Sequence, residues 1–460
     1  MKKYKLRLTE SQHSQLKGHL LPGDGCEAVA IALCGRRRDA KNHCLIVHKI
    51  VPIPYEECKE RTPDRVTWST QRLVPLLEEA ERKDLAVLKI HSHPGGYDRF
   101  SGVDDASDSD LFNSISAWTD SEYPHCSAIM LPGGKMFGRV ILPTGEFRAL
   151  DSALVVGDDI RFWPHESIGR ATSQFERNAQ LFGAGTMHIL QSLAVAVIGC
   201  SGTGSPVVEQ LARLGVGRLI LVDPDKVEVK NLNRILNATR EDAVLGRPKV
   251  KVLAKAIANM GLGTEVEYVA ENLLTKGAVE LVATADIVIG CMDGVEGRHV
   301  LNRLAAYYSM PYIDIGVKLV ADGVGGIDEA CAAVHYMRPD GATLLDRKVY
   351  NMEQVRAEGL RRTDPKAYRE QVKAGYIHGI DEDRPAVISI NMQMASCAVN
   401  ELLSRLHPYR LDSNSESAII RHSFMQAQEY REKEGLSSGM FSKFIGRGDS
   451  DPLLNLPELS

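Results

Sequence analysis

No run of apolar residues in this 460-residue chain approaches the roughly 20 needed to cross a bilayer, which excludes a helical membrane span on sequence grounds. The opening Met1-Lys-Lys-Tyr-Lys-Leu-Arg-Leu lacks the apolar stretch of a signal peptide, so a cytoplasmic location is expected. Net basic charge is also missing. A formal charge of −5 argues against a nucleic-acid footprint, and the short Arg36-Arg37-Arg38 and Arg361-Arg362 clusters read as solvated. The nine cysteines never fall in paired spacing, so they read as reduced thiols rather than a disulfide framework. Neither an internal repeat nor a long low-complexity segment is visible. What is present, 44% hydrophobic and 25% charged residues, belongs to a soluble globular protein. The length exceeds one ordinary domain, so two are expected.

The most informative stretch is His91-Ser-His93-Pro-Gly-Gly-Tyr-Asp-Arg-Phe-Ser101-Gly-Val-Asp104. The apolar Ala86-Val-Leu-Lys-Ile90 before it predicts a strand, and residues two apart on a strand share a face, so both imidazoles point to one side. Asp104 arrives after a Pro/Gly-rich turn, where the polar run Asp104–Asp110 can open a helix. Two nitrogens and one carboxylate oxygen leave the fourth position of a tetrahedral zinc site to water, the catalytic type of site. The run resembles the JAMM metalloprotease signature, His-x-His-Pro-x(6)-Ser-x(2)-Asp. That resemblance implies a cytidine deaminase-like α/β zinc hydrolase that cuts peptide or isopeptide bonds after the C-terminus of ubiquitin-like proteins. It makes His91, His93 and Asp104 the zinc ligands and Glu27, beside the apolar Ala28–Leu33, the general base. It makes Ser101 the donor to the oxyanion.

From residue 193 the chain changes character. Leu193-Ala-Val-Ala-Val-Ile-Gly199 predicts a buried parallel strand, followed by Gly199-Cys-Ser-Gly202-Thr-Gly204 and a helix-period segment over 206–215. Strand, glycine loop and helix N-terminus form an anion cradle. A second strand, Arg218-Leu-Ile-Leu-Val-Asp223, ends in an aspartate placed to hold a ribose hydroxyl. These features alone are compatible with a dinucleotide enzyme. The next run, Asp223-Pro-Asp225-Lys-Val227-Glu-Val-Lys-Asn231-Leu-Asn-Arg234, is similar to one in the ubiquitin-activating superfamily that includes ThiF and MoeB. Gly246-Arg-Pro-Lys249 and Asp286–Asp293 continue that similarity. It implies a Rossmann-like domain that adenylates a C-terminal carboxylate. Gly199, Gly202, Gly204, Asp223, Asp225 and Asn231 would bind ATP, Arg234 and Lys249 would neutralise its phosphates, and Asp293 would hold Mg²⁺. Arg177, in Arg177-Asn-Ala-Gln-Leu-Phe-Gly183, would reach the phosphates of a partner subunit, which implies a homodimer. The family usually has glycine where this chain has Ser201.

The resemblance breaks at the cysteines. No CxxC pair follows Pro339, so a structural zinc is not expected there, and Cys397 falls in an apolar-spaced helical segment that suits a buried thiol. Cys331 is the remaining candidate for a thioester, against direct transfer of the adenylate. The expected organisation is a zinc hydrolase domain over 1–150, a connection over 151–190 carrying Arg177, an adenylation domain over 191–425 and a C-terminal tail over 426–460. Residues 340–385 read as a charged, partly helical insertion over the adenylate site. The combination resembles the fused activating–deconjugating proteins of bacterial ubiquitin-like operons, some linked to phage defence. It implies Zn²⁺, ATP and Mg²⁺ as cofactors, a ubiquitin-like protein as substrate and a conjugating enzyme as partner. Activation of a sulfur carrier is the alternative.

Overall fold

A computed structural model describes residues 2–165, 173–374 and 385–460, in two compact units. The first comprises Met1–Ser167, Ala306–Ser309 and Ser442–Asn455. Its elements are β1 (Lys3–Thr9), α1 (Glu10–Leu20), β2 (Val29–Arg38), β3 (Asn42–Pro52), β4 (Cys58–Thr62), β5 (Arg65–Trp68), α2 (Val74–Lys83), β6 (Ala86–Ser92) and α3 (Gly102–Thr119). These are followed by β7 (His125–Met130), β8 (Met136–Ile141), β9 (Phe147–Ala149), β10 (Ser152–Val156) and β11 (Ile160–Pro164). All but β4 and β5, which pair as a separate ribbon, join one mixed sheet in the order β11-β10-β1-β3-β2-β6-β7-β8-β9.

Period-two alternation divides the core of this unit in two. Ala30, Ala32, Leu88 and Ile90 pack with Leu16 and Leu20 of α1, while Val29, Ile31, Leu33 and Val87 pack with α2 and α3. Central strands buried on both faces explain why β2 and β6 carry continuous apolar runs.

Three expectations are corrected here. The connection expected over 151–190 is partly structural, because β10 pairs in parallel with β1 and β11 closes that edge; residues 166–172 lie outside the described residues. The expected tail over 426–460 contains a sheet strand, and its Ser442–Asn455 belongs to the first unit. There the segment lies so close to β2 that a Cβ at Gly35 would come within 2.2 Å of the Arg447 carbonyl. The Arg36-Arg37 pair is buried, not solvated: Arg36 donates to the Pro124 carbonyl at 2.7 Å, and burial lowers its pKa to about 10.

The second unit comprises Ile168–Ala305, Met310–Phe441 and Leu456–Ser460. Its elements run α4 (Glu176–Ser192), β12 (Ala194–Ile198), α5 (Gly204–Arg213), β13 (Arg218–Val222), α6 (Arg240–Val244), α7 (Lys249–Met260), β14 (Glu265–Val269), α8 (Lys276–Val282) and β15 (Ile287–Gly290). Then come α9 (Val295–Tyr307), β16 (Tyr312–Ala321), β17 (Ile327–Met337), α10 (Met352–Thr363), α11 (Pro365–Lys373), α12 (Ile388–Leu406), β18 (Ile419–Ser423) and β19 (Gln428–Glu432). The sheet order is β14-β13-β12-β15-β16-β17-β18-β19, parallel from β14 to β16 and antiparallel from there on. Strand order reverses between β12 and β15. The carboxyl ends of these strands therefore frame a crevice at a topological switch point, where open α/β sheets bind ligands. Of the insertion expected over 340–385, α10 and α11 are helical as anticipated, and 375–384 lie outside the described residues.

Candidate functional sites

In the first unit, Lys89 and His91 share the face of β6 that Val87 turns toward α3, because they alternate with the α1-facing Leu88 and Ile90. Ser101 caps α3 reciprocally: its hydroxyl accepts from the Asp104 N–H at 3.2 Å, while its own N–H and hydroxyl each donate to Asp104 Oδ2 at 2.7 Å. That leaves Oδ1 facing His91, whose Nε2 is 3.1 Å away. His93 donates from Nδ1 to the Tyr97 carbonyl at 2.7 Å, which leaves the Nε2 lone pair aimed at His91 Nε2, 3.1 Å distant. Two ligands held about 2.0–2.1 Å from a tetrahedral zinc ion lie about 3.4 Å apart, so these separations fit a shared cation.

Glu27 lies two residues ahead of β2, fixed by its N–H to the Thr62 carbonyl at 2.8 Å and by Arg61 Nε to its own carbonyl at 3.0 Å. Its Oε1 is 3.7 Å from His93 Nε2, and ligand atoms of Glu27, His91 and His93 all fall within 4.8 Å of one another. Burial, reinforced by the nearby Asp104 charge, raises the Glu27 pKa to about 8. Ser101, expected to donate to the oxyanion, is turned toward Asp104 in this structure. As the capping partner of Asp104, its hydroxyl is committed to that carboxylate.

In the second unit a cleft of about 780 Å³ opens at the switch point. Gly199 leaves β12 at φ +88°, a conformation that strains any residue with a Cβ, and a Cβ there would also lie 2.6 Å from the Cys291 carbonyl oxygen. Gly204 opens α5 against the Gly199 carbonyl; a Cβ at 204 would come within 1.8 Å of it. Gly202 sits between Asn391 and Arg234, and its Cβ would meet Asn391 Nδ2 at 2.5 Å and Arg234 Cδ at 3.0 Å. Each glycine is therefore required by a different neighbour, and Ser201 is accommodated on the cleft wall.

The charged residues named by the sequence converge on this cleft. Asp223, Asp225, Asn231, Arg234, Lys249 and Asp293 all line it. Buried Asp223 accepts from the Cys200 N–H at 2.6 Å and the Asp225 N–H at 2.8 Å, bracing the glycine loop; burial raises its pKa against the opposing pull of Lys249. Lys249 Nζ donates to Asp225 Oδ2 at 2.7 Å, and Asn231 Oδ1 accepts from the Glu228 N–H at 3.1 Å. Arg234 is held at its Nη1 by the Lys230 carbonyl at 2.8 Å.

Other expected residues lie elsewhere. Arg177 is exposed in the first turn of α4 and does not line its own chain's cleft. Cys331 is inside β17, paired to Lys318 and Ser423, and its thiol donates to Glu329 Oε1 at 3.2 Å. Burial first, and then Glu329, raise its pKa, which disfavours the nucleophilic thiolate. Cys397 lies in α12 with its pKa pushed up to about 12 by burial. Sequence reasoning missed Asn391, Glu358 and Arg361, which also line the cleft; Arg361 had read as solvated. No local signal marks them, because α10 and α12 fold back onto the loop from far along the chain.

An open parallel sheet with a glycine loop, an acidic strand end and converging cations defines a Rossmann-like nucleotide-binding class. Residues 175–435 match the family model described as the ThiF family, and residues 9–139 match that of prokaryotic homologs of the JAB domain. The chain belongs to the ThiF family and carries a JAB-type domain at its N-terminal end.

Among curated relatives, the adenylyltransferase and sulfurtransferase MOCS3 of Danio rerio is 34% identical over 124 residues, 27% of each chain. The sulfur carrier protein adenylyltransferase of Thermus thermophilus is 33% identical, over 27% of this chain and 45% of its own. The SAMP-activating enzyme E1 of Haloferax volcanii is 32% identical over the same shares. The chain thus spans less than half the length of each of these relatives. Among solved structures, MccB of E. coli with ATP aligns over 58% of this chain and 73% of its own, at 19% identity and a TM-score of 0.44. No helix among the described residues is long and apolar enough to cross a membrane.

Proposed function

We propose that the second unit adenylates the C-terminal carboxylate of a ubiquitin-like or sulfur-carrier protein with ATP. The observation that carries this reading is the convergence of Asp223, Asn231, Arg234, Lys249 and Asp293 on one cleft beside the glycine loop. A carboxylate oxygen attacks the α-phosphorus, the bond to the bridging β-phosphate oxygen breaks, and pyrophosphate departs to leave an acyl-adenylate. Arg234 and Lys249 offset the charge that moves onto the leaving phosphates. Lys249 must exchange Asp225 for phosphate oxygens, and Asp223 keeps the loop in place through the Cys200 and Asp225 N–H groups. Asp293, an exposed carboxylate on the cleft wall, would hold Mg²⁺, which would supply charge neutralisation for the phosphates. The names of the relatives, all activating enzymes or adenylyltransferases, support the substrate class. ATP–pyrophosphate exchange with candidate carriers tests this; no exchange by a folded chain sinks it.

A second activity rests on the first unit. The convergent nitrogens of His91 and His93 with Asp104 Oδ1 fit zinc better than Glu27 does, because Asp104 Oδ1 lies 3.1 Å from His91 Nε2 whereas Glu27 Oε1 lies 3.7 Å from His93 Nε2. Bound there, zinc supplies Lewis-acid polarisation and a more acidic water. Glu27 takes the proton of the attacking water at its carboxylate and returns it to the leaving amine, a task suited to a carboxylate whose pKa burial raises well above the usual range. The bond cut is a peptide or isopeptide bond after the same kind of carrier C-terminus, so one unit activates what the other matures or releases. Conjugate cleavage that persists in His91→Ala and under chelation removes this reading. A dimer with Arg177 acting across it, a conjugating-enzyme partner and a thioester at Cys331 belong to the same proposal. Of these, Cys331 has the least support from its surroundings.

A further inference from the structure

The first turn of α12 borders the cleft, with Pro385, Ala386 and Asn391 all on its wall. Val387, the N-cap of this 19-residue helix, makes no side-chain capping bond, and neither does Thr203, the N-cap of α5. Of these two N-caps Thr203 lines the cleft, so the α5 N-terminus brings the partial positive charge of its free N–H groups to it.

Asn391 adds an independent observation. It is only 4% exposed, it lines the cleft, and its carboxamide has no hydrogen-bond partner among the described residues. The carboxamide is presented to the cleft, where its N–H groups can donate to a ligand. Its position says which contact. The Cβ that Gly202 lacks would touch Asn391 Nδ2 at 2.5 Å and Arg234 Cδ at 3.0 Å. An anion above the glycine loop therefore has this neutral donor, as well as the Arg234 side chain, beside it.

We propose that Asn391 is a phosphate-binding residue of the cleft, its Nδ2–H donating to an oxygen of the nucleotide's phosphates beside the glycine loop. This rests on the reading of the cleft as an ATP site. The carboxamide is suited to that place because a third cation would only add to Arg234 and Lys249, whereas an amide donates without trapping the pyrophosphate product. A carboxylate of the same shape would repel the ligand.

The test is Mg-ATP binding to the full chain by equilibrium dialysis, with adenosine binding followed by ligand-detected NMR, for wild type, Asn391→Ala and the isosteric Asn391→Asp. The proposal expects the ATP Kd to rise about tenfold in Asn391→Ala, the value of one charge-assisted hydrogen bond, and further in Asn391→Asp, with adenosine bound as in wild type. Unchanged ATP affinity in both variants overturns it. A parallel loss of ATP and adenosine also overturns it, because the residue would then be supporting the fold of the cleft. Failure of the wild type itself to bind Mg-ATP removes the reading of the cleft, and this proposal with it.

Discussion

Lys89 Nζ of β6 lies 2.7 Å from Asp108 Oδ1 of α3, with both side chains almost wholly buried, and Arg139 of β8 holds the other oxygen at 2.8 Å. This triad fixes α3 to the strand that carries His91, one helical turn from Asp104. Burial alone would raise the Asp108 pKa, yet Lys89 and Arg139 hold it below the usual value, so the carboxylate stays charged. Asp108→Asn would leave two buried cations facing a neutral amide. Removing one partner of such a group costs about 3–5 kcal/mol. Chemical denaturation followed in the first unit should show that loss, together with weaker metal binding. A variant as stable as wild type would show that the triad is not holding α3.

Ser101 provides a sharper test of the metal site. Its hydroxyl orients Asp104, so Ser101→Ala should weaken zinc binding about 10–100-fold, the usual effect of losing a group that orients a ligand. Calorimetric zinc titration of this variant against His93→Ala, which removes a ligand outright and should lose more, makes the comparison. Wild-type zinc affinity in Ser101→Ala, with a lowered kcat on a cleavable conjugate, would restore the oxyanion role.

The difference between these sites and Asn391 shows what a sequence can reveal. His91, His93, Ser101 and Asp104 sit in one short run whose strand-turn-helix folding is local, so spacing alone placed them together. The glycine loop and Asp223 were readable for the same reason, being the ends of adjacent parallel strands. Asn391 and Arg361 reach the cleft through tertiary packing of α12 and α10, and a helical residue's periodicity does not say which face meets a ligand. Arg36 was misread because a basic cluster in a central strand resembles a solvated one until the carbonyls that receive it are placed. The strands at 152–164 escaped notice because each is short and their partner, β1, lies at the other end of the unit's sequence.

Buried neutral histidines set the acid limit of both units. Burial lowers the pKa of His125 and His335 to about 3, and that of His299 to about 4. Because the unfolded chain binds these protons near pH 6.5, stability is fully present above that pH and falls as pH drops toward the folded values. Each such histidine contributes a slope of up to about 1.4 kcal/mol per pH unit. His125 Nδ1 accepts from the Val87 N–H at 3.0 Å, a bond that protonation destroys. Unfolding free energies at pH 7, 6 and 5 should therefore decline, and His125→Gln should flatten the first unit's share of the decline. A flat profile in wild type would contradict the assignment.

Two glycines of one loop should fail in different ways when given a Cβ. At Gly204 the new carbon would lie 1.8 Å from the Gly199 carbonyl oxygen, a backbone atom that cannot move without breaking the join between β12 and α5. Gly204→Ala should cost about 3 kcal/mol or more of stability, as overpacking against a fixed backbone does. At Gly202 the obstacles are side-chain atoms, Asn391 Nδ2 and Arg234 Cδ, which can swing aside. Gly202→Ala should therefore fold close to normally but lose ATP affinity, because both groups leave the phosphate position. Thermal unfolding and Mg-ATP binding, measured on the two variants together, separate these effects. If Gly202→Ala binds ATP like wild type, the phosphates do not depend on Asn391 and Arg234 as they stand beside Gly202. If instead Gly204→Ala is as stable as wild type, the close approach of loop and helix is not what requires glycine there.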